Sequence, residues 1–393
     1  MDSENTLQPM VPYQKIGLDK LQLYNIAVEE LDISHLLNIP KVEIQQATNG
    51  RQCRRHMPDS KKGIAKITIK DNDIFPDLTI GCANKSNGHP IEYVYLNLTI
   101  PDYNGNNLIP WTVSEYNNYI QSVLSYIWFK YHISLDACCM KVKYLEINCN
   151  IPLEEDFCHY SRSYRLMLSL MNGHIGKLST YERIKNNKKN NKSAQGESLK
   201  RGNKSMEVIF YDKLQELNDT GNNIDEIDTP ILRIEYRLKT KNKIRNEFNS
   251  NLWRNFNDKK IADYFISQIR KEFSTKLNKW EMQRQKDLKR LIKLCRAKSS
   301  KAWHHLLMEE IRNKSENLGI PYILDIEQVY DAIKSFTDKN RNRKVKSLGK
   351  IQVEDDVYKN HDLEKAYEVL QGTELAYQNT ISLYSNESEK KRN

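Results

Sequence analysis

Residues 206–239 read MEVIFYDKLQELNDTGNNIDEIDTPILRIEYRLK, and both ends of this stretch alternate with a period of two. That period is the mark of a strand whose two faces meet different surroundings. In 206–213, Glu207, Ile209, Tyr211 and Lys213 share one face, with Val208, Phe210 and Asp212 opposite. In 231–239, Leu232, Ile234, Tyr236 and Leu238 make an apolar face, and Arg233, Glu235, Arg237 and Lys239 a charged one. An acidic linker around 218–230 separates the two, and their closeness in sequence lets them pair.

Outward from this pair the same pattern recurs. KVKYLEINCNI (141–151) places Val142, Tyr144, Glu146 and Asn148 on one face. IEYVYLNLTI (91–100) is a strand with Val94, Leu96, Leu98 and Ile100 on one side. KGIAKITIK (62–70) and GLDKLQLYNIAV (17–28) are further strands, and PDYNGNNLIP (101–110) is turn chemistry. Ser114 is expected to cap a helix that runs to about Ile133, and a second helix is expected over 160–171. Strands that dominate and helices that interrupt predict an α+β domain on a mostly antiparallel sheet.

After about residue 250 the pattern becomes helical. Residues 255–313 contain neither Pro nor Gly and carry apolar residues at helical spacing. Further helices are expected over 326–338 and 362–378. The expected division is a tail (1–12), an α+β domain (13–248), a helical accessory region (249–380) and a polar tail (381–393).

The 393 residues carry a formal charge of +10, which favours a polyanionic partner. Much of it lies in 185–204, KNNKKNNKSAQGESLKRGNK, where seven basic residues meet one Glu. This segment is expected to be a flexible basic loop, and KNRNRKVKSLGK (339–350) is a second cluster. No apolar run approaches the roughly 18 residues that span a bilayer, and the acidic start MDSENTLQPM is unlike a signal peptide, so a cytoplasmic location is expected. Seven scattered cysteines without a CxxC pair fit reduced thiols. The absence of GxxxxGK[ST] and HExxH argues against a P-loop ATPase and a zincin.

The polar residues inside strands are what remains for chemistry. A sheet can set a tyrosine, a lysine and two carboxylates on one surface, a combination suited to phosphoryl transfer. Taken singly, each has a plainer explanation, since tyrosine favours strands and RxExRxK is most simply a solvated face.

Four segments in order resemble the gene II/X family of filamentous-phage and plasmid rolling-circle replication initiators, and more loosely the Rep_trans plasmid initiators. They are LNLTIPDYNGNN (96–107), KYLEINCNI (143–151), VIFYDKLQEL (208–217) and ILRIEYRLKTK (231–241). The third is similar to the family's Tyr-x-Lys-x-x-Glu-Leu segment and the fourth to its Leu-Arg-Phe/Ile-Glu-x-Arg-x-Lys strand. Glu146 stands where the family has Asp, Lys143 takes the nearest basic position, and Asn150 stands where related initiators often have a second Asp.

The resemblance implies a metal-dependent endonuclease that nicks one strand at an origin. Tyr211 would be the nucleophile, with Lys213 lowering its pKa or binding phosphate. Glu146 and Glu235 would hold Mg²⁺ or Mn²⁺, with Glu216 either a further ligand or a helix-start carboxylate. DNA contacts would come from Lys185, Lys188, Lys189, Lys192, Lys200, Arg201 and Lys204 of the basic segment, and from Arg233 and Arg237. Partners would be origin DNA, duplex and single-stranded, with a host helicase and polymerase. A relaxase-like mobilisation protein would use the same chemistry, and a non-catalytic DNA-binding control protein would use the same scaffold.

Overall fold

In the computed structural model of the chain, the described residues are 13–39, 42–46, 64–71, 78–83, 93–99, 108–171, 178–186, 192–219, 229–297, 302, 305–306, 309, 322–323, 357–358 and 360–390. The chain divides into two compact units. The first takes residues 1–152, 202–266 and 375–393, and the second takes 153–201 and 267–374. This interleaving differs from the linear division at 248/249, because segments distant in sequence complete the same core.

The first unit is built on antiparallel strands. These are β1 (Ile16–Leu31), β2 (Val42–Gln46), β3 (Ile64–Asp71), β4 (Leu78–Ala83), β5 (Tyr93–Thr99), β6 (Ile133–Asp136), β7 (Lys141–Pro152), β10 (Met206–Asp212) and β11 (Ile231–Leu238). Their order is β2-β3-β4-β5-β1-β7-β11-β10, with β6 paired to β1. The expected strands are all present, and the α+β class with a mostly antiparallel sheet holds.

One face of β11, with Leu232, Ile234, Tyr236 and Leu238, is buried to the last residue. Tyr236 meets Phe265 edge-on at 5.4 Å, and Phe265 belongs to helix α6 (Asp258–Ile269). Residues from 252 to 266 therefore complete the core of the sheet domain, although the sequence pattern assigns them to a separate helical region. The C-terminal helix α8 (Asn360–Lys390) adds to the same unit: Thr380 Oγ1 accepts from the Ile16 amide at 2.9 Å, and Asn379 Nδ2 donates to the Gln14 carbonyl at 3.0 Å. The expected polar tail from 381 is helical as far as Lys390.

Between β1 and β6 lie α1 (Ile33–Leu37) and α2 (Val113–Tyr131). The N-cap of α2 is Thr112 rather than Ser114. Thr112 Oγ1 accepts from the Glu115 amide and the Glu115 carboxylate accepts from the Thr112 amide, a reciprocal capping box. Ser114 lies inside the first turn and caps nothing.

The second unit contains α3 (Ser161–Leu170), strands β8 (Leu178–Asn186) and β9 (Lys192–Gly202), helix α7 (Thr275–Ala297) and the first half of α8. Here α8 is tied to α3 by Arg162 to Asp362 at 3.3 Å and to the segment before α7 by the fork of Arg270 on Glu374 at 2.7 and 2.6 Å. β8 and β9 pair antiparallel, so most of 185–204 is hairpin strand rather than a flexible loop. Only 187–191 of it lie outside the described residues. Helix runs unbroken from Asp258 to Ala297, with a π-helical turn over Arg270–Ser274. The tail 1–12, the helix over 326–338 and the basic cluster 339–350 lie outside the described residues, as does most of 298–313.

Candidate functional site: a buried carboxylate cluster beside a tyrosine

The site is assembled by register. β7 and β11 pair so that Arg237 faces Glu146, Glu235 faces Asn148 and Arg233 faces Asn150. β10 and β11 pair so that Glu207 faces Arg237, Ile209 faces Glu235 and Tyr211 faces Arg233. Directly paired residues point to the same side of a sheet. The polar faces of all three strands therefore form one continuous surface.

A third carboxylate comes from β1. The β1–β7 register slips between Leu18 and Lys20, leaving Asp19 as the extra residue of a bulge. A bulge re-aims the side chain at its apex, and here it turns Asp19 toward Glu146 and Glu235. One carboxylate oxygen from each of Asp19, Glu146 and Glu235 lies within 4.8 Å of the others.

Asp19 is half-buried and the strand groups are buried. Glu235 is 1% exposed, Glu146 6% and Asn148 0%. Asp19 Oδ1, Glu235 Oε1 and both amide atoms of Asn148 have no hydrogen-bond partner. Buried polar atoms without a partner cost free energy, and the oxygens among these are of the kind that could hold a hard divalent cation. Burial pushes the Asp19 carboxyl up, against the opposing pull of Arg233. It also pushes the Glu235 carboxyl well up, with the Glu146 charge adding to the effect. Carboxylates held in this way gain most from a cation.

Arg237 already neutralises part of the cluster. Its guanidinium lies 3.2 Å from Glu146, 3.0 Å from Glu235 and 3.8 Å from Glu207. Tyr144 donates to Glu146, and burial raises its phenol well above the usual range. Arg237 is thus a counter-ion to these carboxylates, with a third of its side chain exposed.

Arg233 is more deeply placed, with no exposed surface. Its Nε donates to Asn150 Oδ1 at 2.8 Å and its Nη2 to the Leu108 carbonyl at 2.9 Å, and Nη1 lies 3.8 Å from Asp19. It cross-links the sheet, and the expected surface contact with DNA fails on burial. Arg201 fails likewise: it is 9% exposed and donates to the carbonyls of Leu168 and Ser169 at 2.5 and 2.9 Å. Lys204 is exposed, Lys200 is half-buried, Lys185 and Lys192 lie on the β8–β9 hairpin, and Lys188 and Lys189 fall outside the described residues.

Tyr211 is half-buried near the end of β10, on the carboxylate face. Burial raises its phenol well above the normal range, Arg233 pulls it down, and Glu235 and Asp19 push it up. Lys213 is not a strand residue; it opens helix α4 (Lys213–Asp219), is fully buried and pairs with Glu216. Burial first and Arg233 second lower its ammonium to about 8. Glu216, in the first turn of α4, is paired with Lys213 and is not among the three carboxylates that converge.

The sequence pattern places Glu146, Glu235 and Tyr211 on compatible strand faces, and the fold brings those faces together. Asp19 and Asn148 are the members it does not single out as ligands. An acid inside an apolar first strand was the available signal for Asp19.

No family model matches the chain, and no curated protein matches it. Among solved structures it is similar to one described as a rolling circle replication initiator protein from Geobacillus stearothermophilus. That likeness has 12% identity and a TM-score of 0.34, over 66% of this chain and 85% of the other. It is too slight to bear on fold or function. Among the described residues, no helix is long and apolar enough to cross a membrane.

Proposed function

We propose that this protein is a rolling-circle DNA replication initiator, a metal-dependent nicking and joining enzyme with Tyr211 as its nucleophile. One observation carries the proposal: three carboxylates, the half-buried Asp19 and the buried Glu146 and Glu235, converge within 4.8 Å on the sheet face that also bears Tyr211. A carboxylate triad with a tyrosine on the neighbouring strand suits phosphodiester transesterification better than hydrolysis, because the chain itself supplies an oxygen nucleophile.

Asp19, Glu146 and Glu235 would hold Mg²⁺ or Mn²⁺, with the Asn148 amide oxygen as a fourth donor. The bound cation supplies Lewis-acid neutralisation of the non-bridging phosphate oxygens. Arg237 then balances the charge left on Glu146 and Glu235. The Tyr211 oxygen attacks phosphorus, a P–O bond to the phenol forms, and the bond to the 3′ oxygen breaks. The phenol proton is lost and the leaving 3′ oxygen takes one up, giving a 5′-phosphotyrosyl link and a free 3′-OH primer. Arg233, opposite Tyr211, stabilises the developing phenolate, and the buried ammonium of Lys213, two residues on, adds positive charge. The reverse step rejoins the strand without an external energy source, because the phosphotyrosyl ester conserves the broken bond.

DNA is the partner this chemistry requires, with a host helicase and polymerase to use the primer. A relaxase-like mobilisation protein would share the site. A different reading has one observation behind it: Arg237 already bridges Glu146 and Glu235, as in a purely structural ion cluster. On that reading the chain is a non-catalytic DNA-binding control protein.

Incubation with supercoiled circular DNA and Mg²⁺ or Mn²⁺ separates these. The enzyme converts supercoiled to open circles, and Tyr211→Phe does not. Binding of DNA without nicking at any metal concentration would favour the control protein.

A further inference from the structure

The segment Leu108–Thr112 is tied to the sheet through Leu108 and Trp111. The Leu108 carbonyl accepts from Arg233 Nη2 at 2.9 Å and from the Asn150 amide. Trp111 and Leu18 exchange backbone hydrogen bonds of 2.8 and 3.1 Å, immediately before Asp19. A Cβ on Gly17 would lie 2.6 Å from the Trp111 carbonyl oxygen and 2.8 Å from Pro110 Cβ, so the approach of the two chains requires glycine. Tyr116, in the first turns of the following helix, donates from its hydroxyl to the Asp19 carbonyl at 2.6 Å.

Within this clamped segment one side chain points outward. Leu108 is 2% exposed and Pro110 is buried, yet Ile109 between them is 42% exposed. A single exposed isoleucine is ordinary by itself. Ile109 is set apart by its placement, one residue from the carbonyl that Arg233 holds, on a backbone hydrogen-bonded on either side of it at Leu108 and Trp111. Beside it, Trp111 is half-buried and packs edge-on against Tyr116 and Tyr119 at 5.5 Å each.

We propose that Ile109 is an apolar ledge on which a nucleobase of the bound single strand packs, next to the phosphate at the carboxylate cluster. The inference rests on the site being a DNA nicking centre and adds the element that grips the base. A phosphodiester drawn toward the cluster carries a base with a flat apolar face, and that face needs a partner once unstacked. Proteins that hold single strands or open base steps use side chains of this kind, planar or branched and apolar, fixed on rigid backbone. The net charge of +10 favours the polyanionic strand as occupant over an apolar peptide.

The test uses the full chain and two fluorescent single-stranded oligonucleotides, one of mixed sequence and one with the same backbone but no bases. By anisotropy, the wild type should prefer the base-bearing strand by on the order of tenfold. Ile109→Ala should lose most of that preference, and Ile109→Leu should keep it. Because Ile109 is exposed, circular dichroism of the variants should match the wild type. An unchanged preference in Ile109→Ala would overturn the ledge, as would no preference in the wild type. The nicking centre is judged separately by the covalent adduct at Tyr211. An adduct with no ledge effect removes the ledge alone, and a ledge effect with no adduct removes the nicking centre alone.

Discussion

Tyr211 pairs directly with Arg233 in the β10–β11 ladder, which puts a half-buried phenol beside a guanidinium with no access to water. Because Arg233 is also tied to Asn150, the Leu108 carbonyl and Asp19, the phenol, a carboxylate and the 108–112 segment share a common anchor. That anchor defines what substitutions at the site should do.

Arg233→Met should act on stability. It leaves the buried Asn150 side chain and Leu108 carbonyl with fewer donors and strips the half-buried Asp19 of its cation, a change worth about 3–5 kcal/mol. Chemical denaturation should show a loss of unfolding free energy of that size. A surface phosphate contact would move it by no more than about 0.5 kcal/mol.

Asp19→Asn, Glu146→Gln and Glu235→Gln should each cut nicking by at least about a hundredfold while DNA affinity holds or rises slightly, since each removes a negative charge near the phosphate. Supercoiled-DNA nicking and anisotropy on the same preparations provide the check. Asp19→Asn is the most informative of the three, because the chemistry assigns it the same weight as the two strand glutamates. Full activity in Asp19→Asn would remove it from the ligand set.

Stability should depend on pH with a definite sign. Asp19 and Glu235 have raised carboxyl pKa values in the folded chain. Between the ordinary carboxylate range near about 4 and those raised values, the folded state binds more protons than the unfolded one. The stability they contribute is therefore present at the acid end of that window and lost as pH rises through it. Metal-free wild type should lose Tm relative to Glu235→Gln as pH rises, by about 2–4 °C. Mn²⁺ should raise the wild-type Tm more at high pH than at low pH, because the cation competes with protons for the same oxygens. An identical pH trend in both proteins, with or without Mn²⁺, would contradict this.

A chain ending at residue 248 should not fold. It would lack Trp253, Ile261 and Phe265, which are 3%, 1% and 0% exposed, and the Thr380 hydroxyl that caps the Ile16 amide. Recovery of a soluble fragment 1–248 with a cooperative unfolding transition would show that the sheet does not need these segments.

Strand faces were the most legible feature of the sequence. The alternation in 141–151, 206–213 and 231–239 places Glu146, Glu235 and Tyr211 correctly, because a period of two leaves only two choices per strand. Asp19 was hidden for the same reason: a bulge breaks the period, and an odd residue in β1 can be assigned a face only once its partner is known. Arg233 and Arg201 misled because a cation surrounded by polar residues looks exposed until its acceptors, here backbone carbonyls from distant segments, are in view. The basic segment 185–204 misled by composition, since Lys and Asn are poor strand formers but the β8–β9 ladder overrides them. Its hydrophobic anchor, the buried Leu199, is a single residue in the pattern.

The covalent state of Tyr211 tests the central claim most directly. Wild type incubated with a cleavable single strand and Mn²⁺ is digested and the peptides are weighed by mass spectrometry. The peptide containing Tyr211 should carry a 5′-nucleotide adduct, and Tyr211→Phe should give neither adduct nor nick while its stability moves by at most ~1 kcal/mol. An adduct on another tyrosine such as Tyr103 or Tyr236, or a nick that forms with no adduct, would contradict the assignment of Tyr211 as the nucleophile.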